Sequence, residues 1–170
     1  MRPSVLIAGT GQARAGDDGF GIEVVRQLAA TDLPRWVRAA EYGSGGMPLA
    51  FDLLDRYSTT VLVDAVPRGL GPATVTAREV PGGNRAHASA RDGFVDVREM
   101  RAGTALDLLD LLGGDAGRVL VVSCEPVSTA PGRPMSEAVR AAVPEAVRRI
   151  QELIAEEDRR LVQHATALEA

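Results

Sequence analysis

Three short runs, at positions 5–8, 60–63 and 119–122, are continuously apolar, built largely from Val, Leu and Ile, and bounded by turn residues. Continuous rather than alternating hydrophobicity is the pattern of strands buried on both faces, as in a parallel sheet. Residues 37–42 and 74–80 are more amphipathic strand candidates. Between the runs the period changes: Ile22, Val25, Leu28 and Ala29 recur at helical spacing within 20–30, and shorter helices are predicted over 48–54 and 104–112. Towards the C-terminus Val143, Val147, Ile150 and Ile154 make one apolar stripe, the mark of a helix with a single buried face. Pro144 is expected in the first turn of that helix, where a missing N–H costs nothing, with 136–142 as a separate short helix before it. The charged stretch 155–170 is expected to fray.

Strands and helices alternate, which predicts an α/β three-layer sandwich: a mainly parallel, twisted five-stranded sheet flanked by helices on both faces. A chain of 170 residues suits one domain, expected over 1–155 with 156–170 as a tail. Segment 81–93, with three glycines and one proline, reads as a long loop of the kind that often carries function.

Composition narrows the classes. Hydrophobic residues at 45% and charged residues at 25% argue against disorder. A net charge of −4 does not suit a protein that neutralises phosphates, so no nucleic-acid partner is expected. The single cysteine, Cys124, is too few for an internal disulfide or a cysteine-based zinc site. Every basic side chain is arginine, which excludes a Schiff-base lysine, a P-loop lysine and a receiver-domain lysine. No apolar run approaches the roughly 18 residues of a membrane span. The run after Met1-Arg2-Pro3-Ser4 is too short for a signal peptide. A cytoplasmic location is the expectation.

Candidate chemistry gathers where strands end. Gly9-Thr10-Gly11-Gln12 leads on to Asp17-Asp18-Gly19-Phe20-Gly21, between the first strand and the first helix, where open α/β sheets bind ligands. A dinucleotide fingerprint would need glycine at Arg14, and pyrophosphate would face two carboxylates at a helix N-terminus. Two readings of the aspartates stay open: helix caps, or one cap and one carboxylate aimed at a cation or a scissile peptide. Asp64 ends the run 60–63, where a buried carboxylate needs a partner, an amide or a metal; an Asx turn into Pro67 is the alternative. If Asp64 approaches Asp18, a cation or a proton must sit between them. Gly43-Ser44-Gly45-Gly46-Met47 is a glycine-rich turn that either admits a ligand or simply turns the chain. His87, in the long loop, is a potential ligand or base. Cys124 is a potential nucleophile or an inert buried thiol.

Taken in order, these motifs resemble those of the hydrogenase maturation endopeptidases, over about residues 5–154. Gly9-Thr10-Gly11, Asp17-Asp18-Gly19-Phe20-Gly21, the Gly43–Met47 turn, Asp64-Ala65, Cys124-Glu125-Pro126 and the helix with Pro144 carry the likeness. The resemblance implies an endopeptidase that removes the C-terminal extension of a nickel–iron hydrogenase large-subunit precursor after nickel insertion. It implies recognition through nickel, which can be the substrate's own, or through a surrogate ion such as zinc or cadmium. Asp18 and Asp64 take the catalytic and metal-binding roles on this reading. The family's histidine ligand falls at Arg98, which stays protonated and cannot ligate. That leaves His87, Glu99 or no residue as third ligand, or Arg98 as a built-in positive charge paired with Asp18 or Asp64. A catalytically degenerate relative, acting as a docking module in hydrogenase maturation, is the alternative.

Overall fold

The computed structural model describes residues 4–44, 46–80 and 101–168. In chain order they form β1 (Val5–Thr10), a 3₁₀ turn (Gly16–Gly19), α1 (Phe20–Ala29), β2 (Val37–Gly43), α2 (Gly46–Leu53) and β3 (Thr59–Ala65). There follow β4 (Val75–Val80), α3 (Arg101–Leu111), β5 (Arg118–Cys124) and α4 (Glu137–Leu168). The sheet order is β2-β1-β3-β5-β4. The first four strands run parallel, with Val5 opposite Val37 and Thr59, and Thr59 opposite Arg118. β4 closes one edge antiparallel to β5.

The three apolar runs are the three inner strands, and their alternate residues feed two separate cores. Val5, Ile7, Val61, Val63, Leu120 and Val122 pack with α1 and α4 on one face. Leu6, Ala8, Leu62, Val119 and Val121 pack with α2 and α3 on the other. The expected three-layer sandwich is therefore the observed one. The weaker strand candidates are the two edges, which explains their amphipathic pattern: an edge strand is covered less than an inner one.

One expectation about the C-terminal region fails. There is no separate helix over 136–142: α4 is continuous, with Pro144 inside it. Ser136 caps its start, its hydroxyl accepting the Val139 N–H at 3.3 Å. An interior proline costs about 3 kcal/mol, but each fully buried Val or Ile contributes about 1.5–3 kcal/mol. Val139, Val143 and Ile150 are fully buried on both sides of the proline, enough to carry the helix through it. Arg140, whose carbonyl loses its helical donor, is exposed. The helix also continues past Ile154. The helix runs to Leu168, and buried Glu157 accepts bonds from the Thr59 hydroxyl and the Arg118 guanidinium. No helix among the described residues is long and apolar enough to cross a membrane.

Candidate active site at the carboxyl rim of the sheet

The rim is shaped first by close backbone approach. A Cβ on Gly21 would lie 2.1 Å from the Val63 carbonyl oxygen and 2.5 Å from that of Thr10. A Cβ on Gly9 would lie 2.4 Å from the Gly21 oxygen. Only glycine lets α1 settle this deeply on β1 and β3. The same contact sets the turn Gly16–Gly19, with Asp17 and Asp18, above the carboxyl ends of those strands. Gly11, at φ +119° with the Asp18 carbonyl 1.9 Å from where its Cβ would be, folds the loop back on itself.

Asp18 and Asp64 are both buried at this rim. The Gln12 N–H donates to Asp18 Oδ2 at 2.8 Å, and the Gln12 side-chain amide reaches the Ser44 hydroxyl at 3.4 Å. The first loop and the turn after β2 are thereby joined. Asp64 immediately follows Val63, the residue against which Gly21 packs, and lies opposite Ser123 in the sheet. Its Oδ1 accepts the Ala65 N–H at 2.8 Å. One oxygen of each carboxylate is thus oriented by a backbone amide, at the end of the sheet where the sequence expected the pair to meet.

Asp17 does something else. Its fully buried carboxylate accepts the N–H groups of Val127, Ser128 and Ser136 at 2.7, 3.0 and 2.7 Å and the Ser136 hydroxyl at 3.0 Å. Its own N–H donates to the Ser128 carbonyl at 2.8 Å. Burial pushes this carboxyl up, but the bonds from Ser128, Ser136 and Val127 together outweigh it and hold it below its ordinary value. For Asp17 the capping reading fails, since the donors that meet its carboxylate lie in segment 127–136 and not at the start of α1. Asp17 instead pins the segment after β5 to the first loop.

Cys124 is fully buried at the end of β5, and burial, then the charges of Asp17 and Glu125, push its thiol up to about 12. A thiol that stays protonated at neutral pH is no nucleophile. His87, Arg98 and Glu99 lie outside the described residues. Among the described residues no three His, Cys, Asp or Glu side chains could hold a metal together. Two carboxylates at one rim are hard donors of the kind a divalent ion accepts, so they fit such an ion as part of a set, not as all of it. Glu125 entered the sequence reading only as part of Cys124-Glu125-Pro126, without a role: its carboxylate accepts the N–H groups of Arg68 and Gly69 at 2.8 and 3.2 Å, fixing the loop after β3. Its place directly after the buried strand β5 was the available signal.

No family model matches the chain. It is 32% identical over 129 residues to the hydrogenase expression/formation protein HupD of Rhodobacter capsulatus, across 72% of this chain and 57% of that one. The chain spans little more than half the length of the first curated relatives it matches, 52% and 57%. Among solved structures it is similar to the hydrogenase 2 maturation peptidase of Thaumarchaeota archaeon SCGC_AB-539-E09, with 30% identity and a TM-score of 0.68 over 89% of this chain and 97% of that one. It also shares its fold with the hydrogenase maturating endopeptidase HybD from E. coli, with a TM-score of 0.75 at 20% identity over 92% and 94% of the two chains.

Proposed function

The chain belongs to the hydrogenase maturation protease family, and from that premise we propose that it is an endopeptidase acting on a hydrogenase large-subunit precursor. The reaction is hydrolysis of one peptide bond, releasing a C-terminal extension after nickel has been inserted. The observation that carries this reading is the pair of buried carboxylates at one rim, Asp18 and Asp64, each oriented by a neighbouring N–H.

Each part of the rim has a task on this account. The Gln12 amide holds Asp18 in one orientation, and the Ala65 amide does the same for Asp64, so neither must reorganise when substrate arrives. Gly9 and Gly21 bring the two segments together. Asp17 anchors the segment 127–136 beside them without entering the chemistry. The nickel in the precursor is substrate, and a divalent ion at the two carboxylates would orient the peptide and polarise its carbonyl. Further ligands to such an ion would come from the precursor itself or from His87 or Glu99.

The test is incubation of the purified chain with nickel-loaded large-subunit precursor, read as a mobility shift and as intact mass. Wild type should shorten the precursor, and Asp18→Ala and Asp64→Ala should not. Stable co-purification of the two proteins with no change in precursor mass would replace this reading with that of a non-catalytic docking module.

A further inference from the structure

The loop after β3 carries a cation whose donors are not all used. Glu125 takes the N–H groups of Arg68 and Gly69 on its two carboxylate oxygens. Its own N–H goes to the Thr74 carbonyl at 3.0 Å, and its carbonyl receives the Ala73 N–H at 2.9 Å. The backbone of Arg68 is therefore fixed at the carboxyl rim, four residues beyond Asp64. Its side chain is half-buried, and Nη2 is buried with no hydrogen-bond partner among the described residues.

A buried guanidinium N–H without an acceptor is costly, more so because it belongs to a charge. The carboxylate of Glu125 is already committed to the backbone amides of this loop. A second cation adds to the imbalance: Arg78 of β4 lies close enough to repel Arg68, and burial, Arg78 and the weaker attraction of Glu125 leave that guanidinium below its ordinary value. Two arginines beside one committed carboxylate make a positive spot in a chain of net charge −4. The planar fork of arginine matches a carboxylate with two parallel bonds.

We propose that Arg68, with Arg78 beside it, binds a carboxylate of the peptide substrate and so positions the chain to be cut along the rim beside Asp64. This inference rests on the endopeptidase reading above. The carboxylate is either the free C-terminus of the extension or an acidic side chain within it, and the two are separable by experiment.

The test uses full-length wild type, Arg68→Gln, Arg68→Lys and Arg78→Gln. One arm measures cleavage of nickel-loaded precursor, with and without its acidic extension residues changed to amides. The other measures binding of a fluorescent peptide spanning the extension, as free acid and as C-terminal amide. Arg68→Gln should raise KM and weaken free-acid peptide binding about tenfold or more, with kcat unchanged and the melting temperature equal to or above that of wild type. Arg68→Lys, which keeps charge but not the fork, should recover part of the loss. The penalty should disappear for the one substrate form that lacks the contacted carboxylate, which identifies it. An unchanged KM for Arg68→Gln, or a penalty equal across all substrate forms, overturns the proposal while leaving the endopeptidase reading intact. Failure of wild type to cut the precursor removes that reading, and this inference with it.

Discussion

Replacing Asp17 with Asn isolates the charge of the rim's structural carboxylate while nearly keeping its shape. Four bonds converge on the native group, three from backbone N–H groups and one from a hydroxyl. An asparagine oxygen in place of Oδ2 could keep three of them, but as neutral bonds weaker by about 1 kcal/mol each. The amide nitrogen would then face the Ser136 N–H, leaving a buried donor unmet at about 1–3 kcal/mol. Removing a buried charge returns part of this, so the net loss is set at about 3 kcal/mol. For a domain of this length that lowers the melting temperature by roughly 6–12 °C. The sign with pH follows from the depressed folded value of Asp17. Its contribution is fully present above the unfolded value near 3.9 and is lost as pH falls from there through the lower folded value. Urea unfolding of wild type and Asp17→Asn between pH 7 and pH 3 measures this directly. The gap should be constant down to about pH 5 and narrow below about pH 4. A gap under about 0.5 kcal/mol at pH 7, ordinary for a surface change, would refute the assignment of Asp17 as the anchor of segment 127–136.

Three further outcomes follow from the same contacts. Gly21→Ala places a methyl group 2.1 Å from the Val63 oxygen; it should lower stability by about 2–4 kcal/mol in urea unfolding and impair cleavage even where the protein remains folded. Pro144→Ala should raise stability by about 1–3 kcal/mol in the same assay, because α4 already runs continuously through that position; a loss would mean that the proline sets the helix's path. Cys124, buried with its thiol raised to about 12, should resist thiol reagents in the native protein at pH 8 and react after unfolding, and Cys124→Ala should retain cleavage.

The inner strands were legible because burial on both faces writes continuous apolar runs. Their order in the sheet was not, since parallel pairing depends on which helices cover which face. At the rim, the placement of Asp64 followed from its position after a buried strand. Residue chemistry alone did not distinguish Asp17 from Asp18, and only the family resemblance favoured Asp18: they are adjacent and chemically identical, and what separates them is a set of donors 110 to 119 residues away. Pro144 misled for a related reason. A local rule about prolines was outweighed by Val139, Val143 and Ile150, whose burial is a property of the packed molecule. Glu125 stayed hidden because its partners are backbone amides of another loop, which carry no signature in side-chain chemistry.

The proposed cleavage depends most on Asp18 and Asp64 acting together on one positive centre. Calorimetric titration of the purified chain with cadmium, a spectroscopically silent surrogate for nickel, tests that pairing without any substrate. Wild type should bind one equivalent, and Asp18→Asn and Asp64→Asn should each lose that binding while melting as cooperatively as wild type. Undiminished binding in both variants would contradict the account.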